Sequence, residues 1–458
     1  MEHSEPAISR SVAVHYRVVP NGFEDGVLVL LSDHAIHEDT VQELKRLSDS
    51  PITIRRVDRR FFSERMNLLY GVGASALSPS PDTSESSDDF SHGSVIRFVS
   101  QILNEAADRN ASDIHMEPGP SNLRIRLRID GLMQTVPVPE DVTRMRANIA
   151  ARIKVLAGLD PTPSREPKDG RMKHDRRDLR VSILPTLHGE SVHLRFLTPP
   201  DELPDLCHLG LSNTERSVLL EAMSQKGGLV VACGPTGSGK STTLHALLKE
   251  GAPRTVKVIT VEDPVEYEID YATQIEVTRS LPFSRSLRSV LRHDPDVLLI
   301  GEIRDRESAV IALEAALTGH LVLTSIHTET ELQAINRFMQ FGVSSGLIAS
   351  ALHVMVSQRL IRKICPSCNG TGTVESNQPC DRCMGSGYHG RTGIFRILPV
   401  SESLRDALQR EEYVDVGKIM DAAAPSFEST GRRLVDAGQT THEELFRVLG
   451  REDVIHAS

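Results

Sequence analysis

Tryptophan is missing from the chain, and phenylalanine and tyrosine bring the aromatic share to only 4%. Proteins that grip single-stranded nucleic acid stack bases on aromatic platforms, and this sequence has little to build one from. A basic excess is missing too: 52 Lys and Arg stand against 62 Asp and Glu, a net charge of −10. The field of the whole molecule therefore repels nucleic acid and anionic membrane, and any basic surface has to be local. No apolar run approaches the roughly 18–20 residues that a membrane-spanning helix needs. The opening MEHSEPAISR has neither the basic start nor the apolar stretch of a signal peptide. The expectation is a cytoplasmic chain, in a compartment where thiols stay reduced.

Cysteine is scarce as well, with six in 458 residues. Four of the six fall in CPSCNGTGTVESNQPCDRCMGSG, residues 365–387. Cys365-x-x-Cys368 and Cys380-x-x-Cys383 each offer two thiolates, and together they make a tetrahedral S4 set suited to structural Zn2+. One such pair alone could be redox-active. Two pairs with eleven residues between them, amid Gly370, Gly372, Gly385 and Gly387, favour metal. Cys207 and Cys233 are left over and are expected to be inert.

What is present divides the chain. Residues 1–73 carry short apolar strands such as VLVLL at 27–31 and an amphipathic VQELKRL, the pattern of a small α/β domain without a chemical signature. Residues 74–92, rich in Ser, Pro and acid, have the composition of a flexible linker. SVIRFVSQILNEAADRN then spaces Val95, Phe98, Val99, Ile102, Leu103 and Ala106 along one helical face. In NLRIRLRIDG, Leu123, Ile125, Leu127 and Ile129 alternate with Arg124, Arg126 and Arg128. That predicts a strand with one buried face and one arginine face, closed by a hairpin turn at Asp130-Gly131. VTRMRANIAARIKVLAG reads as a helix, and RVSIL and SVHLRFL as further strands. Residues 93–205 are thus expected to form an arginine-rich α+β domain. From about residue 206 apolar strands alternate with helices, the signal of a mostly parallel sheet.

GLVVACGPTGSGKSTTLHALL puts a glycine-rich turn between an apolar strand and a helix, and fits G-x-x-x-x-G-K-[ST] at Gly234, Gly239, Lys240 and Ser241. The expected nucleotide cradle is Gly234, Pro235, Thr236, Gly237, Ser238, Gly239, Lys240, Ser241 and Thr242. Its backbone N–H groups would point at phosphate oxygens, Lys240 would reach the β- and γ-phosphates, and Ser241 would ligate Mg2+. VKVITVEDPVEY is a strand ending in Glu262, Asp263 and Glu266; DPDVLLIGEIRD is a second, ending in Glu302. Carboxylates at the C-terminal ends of such strands border the ligand crevice, where they hold Mg2+ or activate water. Taken singly, such acids also cap loops or pair with Arg304 and Arg306. An ordinary second nucleotide motif ends its apolar strand in Asp, where this chain has Gly301-Glu302.

These segments, with LRHDPDVLLIGEIRDRESA and TGHLVLTSIHT, resemble the secretion ATPase superfamily of type II secretion and type IV pilus motors. SDIHMEP, the R-x-R-x-R-x-D-G strand, PKDGRM and RVSILPTLHGE resemble the domain ahead of the motor in that family. The resemblance runs from about residue 95 to about residue 397 and reaches more weakly into the N-terminal stretch. It implies an α/β fold: a RecA-like P-loop motor domain over 206–358, preceded by the α+β (PAS-like) domain. A small tetracysteine zinc subdomain over 359–398 and a C-terminal helical segment over 399–458 follow.

The resemblance also implies roles. Glu262 matches the glutamate that polarises the attacking water, and Glu302 one that acts on Mg2+ through its water shell; which of the two is the base stays open. His320 and His327 match a histidine box that senses the γ-phosphate. Arg180 and Arg195 would contact nucleotide from the preceding domain, and Arg288 and Arg292 from the motor helix before DPD, as charge-stabilising arginines. Arg124 and Arg128 are expected to belong to a solvated strand face. The implied protein is a Mg2+-dependent ATPase that binds ATP and Zn2+ and forms a homo-hexameric ring. It would sit at the cytoplasmic face of the inner membrane, peripheral, on platform proteins, and drive pseudopilus assembly in type II secretion. Type IV pilus extension is the alternative, and a nucleic-acid translocase a distant one; no direct nucleic-acid partner is expected. Intact Lys240, Glu262 and Glu302 argue against a non-hydrolysing scaffold. The tetracysteine insert marks secretion and assembly members rather than retraction motors. One departure stands out: GIFRIL carries Arg396 where family members typically carry an acid.

Overall fold

The structure is a computed structural model that describes residues 8–450 apart from 9, 25, 49, 71–86, 139, 198–202, 279 and 375–377. The chain folds as two compact units, Met1–Leu197 and Thr198–Ser458. The first unit opens with α1 (Arg10–Tyr16), β1 (Val19–Glu24), β2 (Val27–Ser32), α2 (Glu38–Leu47), β3 (Ile52–Arg56) and α3 (Arg59–Tyr70). β2 lies between β1, to which it is antiparallel, and β3, to which it is parallel. VLVLLS is an unbroken apolar run because both faces of this central strand are covered, with Leu44, Phe62 and Met66 among the residues that complete the core.

Helix α4 (Ser87–Asp108) begins inside the stretch expected to be linker, so residues 87–92 are helical, while 74–86 lie outside the described residues. Its inward face is the one the spacing picks out: Val95, Phe98, Val99, Ile102, Leu103 and Ala106 are all buried. Then come β4 (Ala111–Pro118), β5 (Leu123–Ile129), β6 (Leu132–Val136), α5 (Glu140–Arg144), α6 (Arg146–Leu156), β7 (Lys168–His174), β8 (Arg177–Thr186) and β9 (Gly189–Phe196). VTRMRANIAARIKVLAG is therefore two helices rather than one, because Met145 with ψ near 6° leaves the helical conformation between them. The six strands pair antiparallel in the order β6-β5-β4-β9-β8-β7. Asp130 and Gly131 both have positive φ, the conformation of a tight hairpin turn between β5 and β6. One face of the sheet buries Ile114, Ile125, Leu127, Val181 and Leu194 with α4 and α6; the other carries the arginines.

The second unit holds α7 (Asn213–Met223), β10 (Gly228–Cys233), α8 (Lys240–Gly251), β11 (Val258–Glu262), β12 (Ala272–Glu276), α9 (Phe283–Val290), β13 (Val297–Ile300), α10 (Arg306–Leu317), β14 (Leu321–Ile326), α11 (Glu331–Gln340), α12 (Ser345–Ala351) and β15 (Leu352–Ile364). After the short β16 (Thr373–Val374) and β17 (Gln378–Pro379) come β18 (Tyr388–Pro399), α13 (Glu402–Gln409), α14 (Tyr413–Ala423), α15 (Phe427–Asp436) and α16 (His442–Leu449). A seven-stranded sheet runs β12-β11-β13-β14-β10-β15-β18, parallel at every pairing except β15 with β18. Alternation along β10 feeds two cores. Leu229, Val231 and Cys233 pack toward α9, α10 and α12, while Val230 and Ala232 pack toward α7 and α8. Burial on both faces is why GLVVAC, VITVE, VLLI and LVLTSI read as solid apolar strands.

Two boundaries fall elsewhere than expected. β15 and β18 both belong to the large sheet, so of the segment 359–398 only about residues 365–387 stand apart from it. The C-terminal helices are part of the same body: Leu404, Leu408, Val416 and Met420 join the core under the sheet, and Leu445 packs with Ile361 and Ile394. Arg396, the departure noted in GIFRIL, has acids brought to it from outside its own strand. Its Nε lies 3.2 Å from Glu331 Oε1 of α11, and its Nη2 donates to Asp421 Oδ1 (3.0 Å) and Met420 O (2.8 Å) of α14.

Candidate active site

The turn between β10 and α8 crosses itself closely enough to need glycine. Gly234, Gly237 and Gly239 all have positive φ. A Cβ on Gly234 would lie 2.5 Å from Ser238 Oγ and 2.8 Å from Gln358 O, and one on Gly239 would lie 2.8 Å from Gln358 Nε2. Gln358 comes from β15, the strand beside β10, and donates to Ser238 O, so a neighbouring strand braces the loop. Pro235, Thr236 and Gly237 form the exposed tip. The first turn of α8 has no side-chain cap, which leaves its N–H groups and the positive end of the helix dipole for an anion. Ser238 Oγ is buried and has no hydrogen-bond partner among the described residues. An orphaned buried donor beside uncapped amides fits a phosphate cradle. Thr242 Oγ1 is engaged instead with Tyr267 Oη at 2.9 Å.

β10, β11, β13 and β14 point their C-terminal ends to the same edge of the sheet, and the site is assembled there. Lys240 Nζ donates to Gly234 O at 2.7 Å and Pro235 O at 3.1 Å, and lies 3.2 Å from His327 Nδ1. His327, just past β14, turns Nε2 to Glu302 Oε2 at 3.0 Å. Arg304 closes the row, bonded to Glu302 and donating to Asp263 Oδ2 at 3.1 Å. Since Lys240 only donates and Glu302 only accepts, the row places the His327 proton on Nε2. Burial pushes the Lys240 ammonium down to about 8. Burial pulls the other way on Glu302, but the hydrogen bond and charge of Arg304, with the hydrogen bond of His327, hold its carboxyl below the usual range. Gly301, the oddity before Glu302, sits against the neighbouring strand: a Cβ there would lie 3.4 Å from Glu262 Cα.

Glu262 ends β11 and is only 3% exposed. Oε1 accepts from Thr260 Oγ1 at 2.7 Å and Gln274 Nε2 at 3.4 Å. Oε2 lies 3.0 Å from His245 Nε2 of α8, a short contact that is not well aligned and is held by charge more than by direction. Burial raises the Glu262 carboxyl, yet the close contact of His245, with the hydrogen bonds of Thr260 and Gln274, brings it below its ordinary value. Gln358, His245, Thr260 and Gln274 were not singled out from the sequence. Only the sheet order and the face of α8 bring them to the motif residues.

Within the second unit, His320, Arg288 and Arg292 are not gathered here. His320 precedes β14 whereas His327 follows it, so a strand of about 20 Å separates them at ~3.3 Å per residue. His320 Nδ1 bonds Ala315 O at 3.0 Å. Arg288 pairs with Glu307 (2.5 Å), and Arg292 donates to Arg288 O (2.8 Å); both are exposed. In the first unit, Arg171, Arg180 and Arg195 are direct cross-strand neighbours on the exposed face of β7, β8 and β9. Arg195 Nε donates to Asp113 Oδ1 at 2.8 Å, and Arg128 lies 3.7 Å from Oδ2. Arg124 is paired with Glu117 at 2.8 Å. Asp113, His115 and His193 come close enough to ligate a cation, but the carboxylate already answers two guanidinium groups, which disfavour a third positive charge there.

The four clustered cysteines are all buried, and their sulfurs lie within 4.8 Å of one another. Cys365 Sγ to Cys380 Sγ is 3.9 Å and Cys368 Sγ to Cys383 Sγ is 3.6 Å. A disulfide needs about 2.05 Å, whereas a tetrahedron with Zn–S bonds of ~2.3 Å has edges of about 3.8 Å. The two halves mirror each other. Gly372 N–H donates to Cys368 Sγ and Gly387 N–H to Cys383 Sγ, each at 3.3 Å, and Thr371 and Ser386 hydroxyls bond the same cysteines' carbonyls, each at 2.7 Å. A Cβ on Gly372 would come within 2.4 Å of Gly385 O, and one on Gly387 within 2.5 Å of Gly370 O. The glycines let the two knuckles close face to face. The donor set and spacing fit Zn2+.

Comparison with known proteins agrees with this geometry. Residues 88–447 match the family described as Type II/IV secretion system protein. This chain belongs to that family. It is an ATPase, as the family and the solved ATPases that share its fold indicate. It is 37% identical over 397 residues to the type II secretion system protein E of Pseudomonas aeruginosa, covering 81% of this chain and 79% of that one. It is 35% identical over 429 residues to the type II secretion system ATPase E of Vibrio cholerae, covering 86% and 84%. Among solved structures, the pilus retraction motor PilT with bound ADP matches with a TM-score of 0.55 and 25% identity, covering 78% of this chain and 99% of that one. DotB of Legionella pneumophila, at TM-score 0.59 and 22% identity over 76% of this chain and 94% of that one, shares the fold.

Proposed function

We propose that this chain is the motor ATPase of a type II secretion system, a Mg2+-dependent homo-hexamer that works at the cytoplasmic face of the inner membrane and drives pseudopilus assembly through platform proteins. What supports the reading most is the meeting of Lys240, His327, Glu302 and Glu262 at adjoining strand ends, in a chain whose relatives carry that name. Lys240 would exchange the Gly234 and Pro235 carbonyls for phosphate oxygens. Ser241, in the first turn of α8, and Glu302, on the facing strand end, are the residues for Mg2+, which when bound neutralises charge on the phosphate oxygens. Glu262 would turn from Gln274 toward the phosphates and orient the attacking water. His327, hydrogen-bonded on both ring nitrogens, would report the exchange at Lys240 to Glu302. The tetracysteine knuckle would hold a structural Zn2+. No helix among the described residues is long and apolar enough to cross a membrane, which suits attachment through partners. A pilus-extension motor is the second reading, favoured by the likeness to a pilus motor.

Phosphate release at saturating MgATP tests the core of this. Lys240→Ala and Glu262→Gln should each lose at least about 100-fold in kcat. Wild-type turnover in either variant would refute the assignment of the site.

A further inference from the structure

The motifs give His245 no task, yet its ring lies between two acceptors. Nδ1 is 2.8 Å from Ser241 O, and Nε2 is 3.0 Å from Glu262 Oε2. Both side chains are buried, 2% and 4% exposed, so little water competes with the contact between Nε2 and Oε2. The pair spans the two halves of the chemistry. His245 stands on α8, one turn beyond the Ser241 of the phosphate cradle, and Glu262 stands at the end of β11.

We propose that His245 is a positioning residue for Glu262, its ring holding Oε2 beside the same helix whose first turn grips the phosphates. The proposal rests on Glu262 being the residue that orients water. Thr260 and Gln274 hold only Oε1, so without His245 the carboxylate keeps one anchored oxygen and is free to rotate about it. The groups facing the ring are Ser241 O from its own helix, Glu262 from β11, and Glu266 and Tyr267 from the loop after β11, the Tyr267 ring centroid lying 5.1 Å away. Burial opposes the charged ring, while Glu262, Ser241 O and Glu266 favour it, and its proton is held more tightly than that of a free histidine.

The test is kcat at saturating MgATP for wild type, His245→Gln and His245→Phe, with binding of a fluorescent ADP analogue measured on each. His245→Phe keeps a ring but has no donor for Oε2. It should bind the analogue as wild type does and turn over about 100-fold more slowly, the scale of an ångström's misplacement. His245→Gln keeps an N–H donor and should fall between the two. Wild-type kcat in His245→Phe, no recovery in His245→Gln, or loss of analogue binding would each overturn the proposal. The last would put His245 in the scaffold of the cradle. Should Glu262→Gln hydrolyse ATP normally, the underlying reading fails instead, and the two failures are told apart.

Discussion

Lys240 carries a consequence that its sequence motif does not. Among backbone carbonyls and one imidazole nitrogen, its ammonium is stripped of water, and burial brings it down to about 8. Phosphate restores a negative partner, so nucleotide binding should raise that value and take up a proton near pH 8. Below that pH the ammonium is charged and waiting; above it, binding must first protonate the lysine. ADP affinity should thus fall by up to tenfold per pH unit above about 8, since each unit is 1.36 kcal/mol of linked protonation. Titration calorimetry in buffers of different ionisation enthalpy would register the proton, and equal heats in all of them would remove the effect. The lysine itself was plain in GPTGSGKSTTL because its spacing is a local property of one turn. Gln358 was not, since nothing in VMVSQRL distinguishes a glutamine that braces a loop over a hundred residues earlier. His245 was hidden in the same way, as an ordinary helical position whose partner ends another strand.

At the scale of elements, periodicity carried well where one face alone is buried. The alternation of NLRIRLRI and the helical stripe from Val95 to Ala106 translate directly into β5 and α4. It carried poorly where a strand's partner lies far along the chain. The zinc subdomain expected over 359–398 takes in the end of β15 and most of β18, but these are adjacent strands of the main sheet, paired from Val354 with Pro399 to Ile364 with Tyr388. Nor does the sequence announce what fastens α16 to β15. Glu444 is fully buried and accepts from Arg362 N (3.0 Å), Arg362 Nη2 (2.7 Å) and Arg447 Nε (2.7 Å). Burial alone would raise this carboxyl, but the two arginines bring it to about 2. Its contribution is complete above the ordinary carboxylate value near 4.3 and is lost as pH falls from there toward 2. Glu444→Gln strands Arg362 among buried groups and should cost about 3 kcal/mol. Denaturant melts of wild type and variant at pH 7 should differ by that amount and converge as the pH is lowered. A constant difference down to pH 3 would contradict the ion-pair account.

For the whole molecule, composition excluded more than it specified, while the arrangement of charge asks for something outside the first unit. Arg180, Arg195 and Arg128 lie in one cross-strand row that includes a single carboxylate, Asp113. Two positive charges in excess of that acid favour an anion facing that surface. In the proposed hexamer the anion would be a nucleotide phosphate, of the same chain or of a neighbour. Two variants that should each be inactive decide it. Arg180→Ala would remove the proposed charge-stabilising arginine, at a cost of about 10³-fold or more if it acts as a finger, and Glu262→Gln the proposed water-orienting carboxylate. If the arginine serves a neighbour's cradle, mixing the two restores phosphate release. Interfaces that join the intact Glu262 of one chain to the intact Arg180 of the next are then complete. If it serves its own cradle, every site in the mixture carries one lesion and the mixture stays as slow as its parts. Recovered rate that rises with total chain concentration would place the working site between subunits; a flat, inactive mixture would confine it to one chain and remove the chemical reason for a ring.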